Sequence, residues 1–63
     1  MFKYVYRLRP PAPGCQPKRN LIKTVSFDNK KVYQGVNGWG YAIYSEELEN
    51  PSEWDLELVE IIK

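Results

Sequence analysis

The chain has 63 residues, nine Lys/Arg against eight Asp/Glu for a net charge of +1, one cysteine and no histidine. A near-neutral balance excludes a highly cationic nucleic-acid coat, and Cys15 alone, without histidine, makes neither an internal disulfide nor a Cys/His zinc cage. No apolar run approaches the roughly 18 to 20 residues that span a bilayer, and the opening MFKYVYRLRP carries charges where a signal peptide needs an apolar stretch. A soluble cytoplasmic protein without metal or cofactor is expected, folded as one small domain over 1–63. At this size folding buries only about 60% of the unfolded surface, so two Trp, five Tyr and two Phe must form most of the core.

Phe2 to Arg9 alternates, with Phe2, Tyr4, Tyr6 and Leu8 opposed to Lys3, Val5, Arg7 and Arg9, the period of a half-buried strand. Pro10, Pro11, Pro13 and Pro17 then deprive the chain of amide donors, which predicts an extended proline-rich arm within residues 10–20. Leu21 to Phe27 alternates again and is read as a second strand, with Asp28 and Asn29 supplying turn chemistry after it. Gly35, Gly38 and Gly40 around Asn37 and Trp39 predict a turn, a bulge or a close backbone approach. Trp39 to Tyr44 is a third strand by its aromatic and β-branched content. Asn50, Pro51 and Glu53 form a good helix start: a cap, a proline at the first position and an acid near the positive end. Beyond it, a helix to Lys63 would leave Leu56 and Val59 opposite the apolar face. A strand from Leu56 pairs Leu56 with Leu58 and is favoured. The expected architecture is α+β: a small antiparallel sheet of three or four strands, one short helix and the arm.

The run Tyr6-Arg-Leu-Arg-Pro-Pro-Ala-Pro-Gly-Cys-Gln-Pro-Lys18, with Trp39-Gly-Tyr41 and a closing Leu56-Glu-Leu58, resembles a group of small proteins encoded by phages and integrating elements of Gram-positive bacteria. That group shares an RPPxPGxQP segment, a WGY strand and an acidic stretch before an apolar end. The resemblance covers nearly the whole chain and brings no activity with it. It implies a mobile-element accessory protein, located in the host cytoplasm, that binds a host protein such as a defence factor.

The halves of the chain differ in sign: residues 1–31 carry +7 and residues 32–63 carry −6. Either they neutralise each other across one sheet or they present opposed charged faces to partners. The candidate partner-binding set is Arg7, Arg9, Pro10, Pro11, Pro13, Lys18 and Arg19, a stiff strip flanked by cations that an aromatic groove accepts at little entropic cost. The plainer alternative, a loop stiffened for stability, carries more weight. The same cations with Lys3, Tyr4 and Tyr6 are the ingredients of a single-strand nucleic-acid surface, but strand alternation sends rings and charges to opposite faces. Glu46, Glu47, Glu49, Glu53, Asp55, Glu57 and Glu60 lack calcium-loop spacing and read best as a solvated acidic face. Gly35 to Gly40 lacks the phosphate-loop lysine, and Cys15 has no histidine base, so no catalytic residue is assigned. The sequence therefore points to a non-enzymatic protein-binding module. A small nucleic-acid-binding protein is the alternative, and a self-associating subunit, pairing exposed strand edges, is the third class.

Overall fold

A computed structural model describes residues 1–63. Four strands, β1 (Phe2–Tyr6), β2 (Leu21–Tyr33), β3 (Val36–Tyr44) and β4 (Leu56–Ile61), form one antiparallel sheet in the order β2-β3-β1-β4. The expected α+β class is corrected to an essentially all-β fold. The helix start at Asn50 produces only a 3-10 turn, Pro51–Trp54, ended by Asp55 in the left-handed region at φ 58°. Its short length has a physical cause: β4 begins at Leu56, whose side chain is buried in the core, and a longer helix would withdraw it. No helix is long and apolar enough to cross a membrane.

β1 ends at Tyr6, three residues short of Arg9, and Leu8, expected on the inward side, is 67% exposed. The largest correction concerns β2. Asp28 and Asn29 do not turn the chain; they lie in an irregularity where the register passes from Ser26↔Gly40 to Lys31↔Gly38, leaving four residues opposite Trp39. Such an insertion bends and twists a strand. The turn itself is Gln34–Gly35, both at positive φ (49° and 85°), the combination a type I′ hairpin needs.

The bend folds the end of the β2–β3 hairpin over one face of β1. A Cβ on Gly38 would collide with Val5 Cγ1 and the Tyr6 carbonyl oxygen, so this crossing requires glycine. Beneath it Tyr33 stacks on Tyr41 (centroids 5.2 Å apart, 12° between planes), with Phe27 tilted against both. Lys3 Nζ donates to the Tyr33 hydroxyl and to Glu60 Oε1, each at 3.0 Å, and lies near the rings of Tyr33 and Tyr41. Tyr33 and Glu60 hold its pKa above the ordinary lysine value, against the opposing effect of burial.

The other face carries the core: Tyr4, Tyr6, Ala42, Tyr44 and Leu56, with Phe2, Leu21, Leu48, Trp54 and Leu58 packed around it. Tyr4 and Tyr44 meet edge to face, centroids 5.7 Å apart. No second sheet covers this face; loops do, each tied to a core phenol. Tyr6 donates to Gln16 Oε1 (2.9 Å), Tyr44 donates to the Pro17 carbonyl (2.7 Å), and the Tyr4 oxygen accepts from the Leu48 amide (2.8 Å). A buried Tyr needs such a partner for its hydroxyl, and here the partners fix the loops. Burial pushes all three phenols up, Tyr44 to about 12.

Candidate functional site

The arm is part of the roof. Pro11 packs so closely on Gly40 that a Cβ there would meet its ring, and Gln16 is buried. Ala12 to Cys15 forms a turn closed by the Cys15 amide on the Ala12 carbonyl (3.0 Å), with Pro13 second and Gly14 third at φ 82°. Proline followed by glycine at positive φ is the type II pattern. Between Pro10 and Pro17 the outward surface is reduced to Pro10, Ala12, Pro13 and Gly14, with Lys18, Arg19 and Asn20 exposed at the arm's end.

The seven candidate residues do not share one environment. Arg9 Nη1 pairs with Asp55 Oδ2 at 2.7 Å, and Cys15 first, then Asp55, raise its pKa further. Arg7 Nε faces Glu57 Oε1 at 3.7 Å. With Lys3–Glu60, these pairs join cations of β1 and its extension to acids at and just before β4, so the two halves of the chain do neutralise each other there. Glu60 is held below the usual carboxylate range by Gln34 and then Lys3. Lys18 and Arg19 are exposed and unpaired. The charges outside these ion pairs sort mostly by position: Lys18, Arg19, Lys23, Lys30 and Lys31 at the arm's end and along β2, with Asp28 among them, and Glu46, Glu47, Glu49 and Glu53 from the end of β3 into the 3-10 turn, with Lys63 at the end of the chain.

Two cavities open between these groups. One, about 550 Å³, lies between the end of the arm and the acidic segment; Arg19, Glu47 and Glu53 line it together with Leu48 and Trp54. Its walls are tied down by the Tyr44–Pro17 and Tyr4–Leu48 hydrogen bonds and by the Ser45 amide on the Asn20 carbonyl (2.9 Å). The other, about 390 Å³, is lined by Arg7, Leu8, Lys30, Val36, Asn37 and Glu57, with Gly35 at its rim. Of the candidate set, therefore, Arg19 belongs to one cavity and Arg7 to the other, and the cavities have no residue in common. Lys30, Asn37 and Trp54 were not among the candidates. Nothing in their sequence positions signals them, since each reaches its cavity through the bent hairpin or the 3-10 turn.

These features define a small antiparallel β-sheet module with an aromatic core roofed by hydrogen-bonded loops, cross-strand ion pairs and two polar surface cavities. A family model described as defence against restriction A C-terminal matches residues 1–62, and the chain belongs to that family. The match fits the phage or mobile-element origin that the sequence resemblance implies. No curated protein and no solved structure matches the chain.

Proposed function

We propose that the chain is a non-catalytic protein-binding module through which a phage or mobile element protects its DNA from host restriction by engaging a host protein of that machinery. The observation that carries this reading is the family match across residues 1–62. The geometry supports a binding role through the cavity beside the arm. Its walls are held by backbone and phenol hydrogen bonds, so a partner meets an ordered surface, and Trp54 and Leu48 offer apolar contact between Arg19 and three acids. Preorganised surface of this kind lowers the ordering cost of association. Arg19 forms its basic side, and Glu47, Glu49 and Glu53 its acidic side.

The test is the plating efficiency of unmodified phage on a restricting host that expresses the chain, against the same host without it and a non-restricting control. Higher efficiency only in the restricting host is the expected result, reduced by Trp54→Ala or by Arg19→Glu. Equal plating with and without the chain would remove the reading.

A further inference from the structure

We infer that the cavity between Arg7 and Lys30 is an anion site that seats a phosphate of a nucleic-acid backbone. Arg7 comes from the extension of β1, Lys30 from the irregular stretch of β2, Val36 and Asn37 from the start of β3, and Glu57 from β4, so four separate segments converge on one cavity of about 390 Å³. Two cations face a single carboxylate. Lys30 has no acidic partner, and the one partner of Arg7 lies 3.7 Å from Nε, leaving the terminal amino groups of the guanidinium without a hydrogen bond inside the protein. A planar guanidinium with free N–H groups, an ammonium and an amide donor are the groups that recognise phosphate oxygens.

The surroundings favour a polyanion over a lone anion. Lys23 and Lys31 are exposed on the same strand as Lys30 and have no acidic partner, Lys31 lying with its Nζ 4.5 Å from the centroid of the Phe27 ring, and Asp28 is the only acid of β2. Repeated single-sign charge along one strand suits the repeated charge of a phosphodiester chain. The sequence placed a nucleic-acid surface on Arg7, Arg9, Lys18 and Arg19. Tertiary structure withdraws Arg9 into its pair with Asp55 and supplies Lys30 and Asn37 instead. This site is separate from the cavity beside the arm and does not depend on the protein-binding reading.

The experiment is fluorescence anisotropy of a short labelled DNA duplex titrated with the full chain at low salt, repeated over a salt series. Binding is expected to weaken by about tenfold in Arg7→Gln/Lys30→Gln, with the log–log salt slope shallower by about one for each phosphate-binding cation removed. Glu57→Gln is expected to tighten it several-fold, since it removes the carboxylate that competes for Arg7, a gain that general disruption would not give. Lys18→Gln/Arg19→Gln is expected to change it less than the cavity pair. Both Arg7 and Glu57 are about half exposed, so the variants are expected to fold; should the double variant fail to, Lys30→Gln alone gives the reading. No binding at low salt, equal losses in the two double variants, or tighter binding of an aspartate-rich peptide than of the duplex would each overturn the proposal. The plating result on a restricting host would stand or fall separately.

Discussion

The Tyr6 hydroxyl donates to the Gln16 side-chain oxygen at 2.9 Å, and both residues are buried. This bond seals the proline arm against the core ten residues further along the chain. Gln16→Leu should leave the Tyr6 hydroxyl without an acceptor and cost about 1–3 kcal/mol in denaturant unfolding, the penalty of an unsatisfied buried polar group. Adding Tyr6→Phe should return part of that loss, since removing both partners is milder than orphaning one. A double variant whose loss equals the sum of the singles would contradict the coupling.

Gly38 lies where the hairpin crosses β1. Gly38→Ala is expected to destabilise by about 1–3 kcal/mol through overpacking. Val5→Ala should relieve only part of the strain, because the Tyr6 carbonyl oxygen remains in the way. Full recovery in the double variant, measured as a denaturation midpoint, would locate the clash in the Val5 side chain alone.

Gln34 opens the type I′ turn at a positive φ that favours asparagine or glycine. Gln34→Asn is expected to raise stability by about half a kcal/mol, a turn-propensity gain that outweighs the exposed hydrogen bond from Gln34 to Glu60. A lower melting temperature would show that the bond to Glu60 outweighs the turn.

Alkaline pH should unfold the protein through its phenols and Lys3. Tyr44 is raised from 10.0 to about 12 by burial, and Tyr4 and Tyr6 are raised for the same reason. A raised group contributes stability that is whole below its unfolded pKa and is lost as pH climbs toward the folded one, because the unfolded chain releases the proton first. Lys3 acts in the same direction, since its pKa is raised above 10.5. Stability should therefore fall from about pH 10 toward pH 12, and Tyr44→Phe should flatten part of that fall. An unchanged midpoint across this range would contradict the buried phenols. Glu60 gives the acid counterpart: its lowered pKa means that its share is present above 4.5 and disappears as pH falls through the folded value.

Of the fold, the local parts were legible. Alternation in Phe2 to Tyr6 marks β1 and the core tyrosines, Trp39 to Tyr44 marks the body of β3, and Asn50-Pro51 marks the 3-10 start with a strand after it. Asp28-Asn29 misled, because the same residues that suit a turn also suit a bulge, and only the pairing of Ser26 and Lys31 with Gly40 and Gly38 separates the two. Gln34-Gly35 lacks the Asn-Gly signature that would have announced the true turn.

By itself the chain determined its near-neutral balance, the inward period of its tyrosines and the stiffness of Pro10 to Pro17, since these depend on residue type and near neighbours. Tertiary structure decided which acid each arginine meets, that the arm becomes a roof, and that Arg7 stands beside Lys30. Those facts follow from strand register and from one bulge, and register is set by burial summed over the whole sheet, which no short stretch of sequence contains.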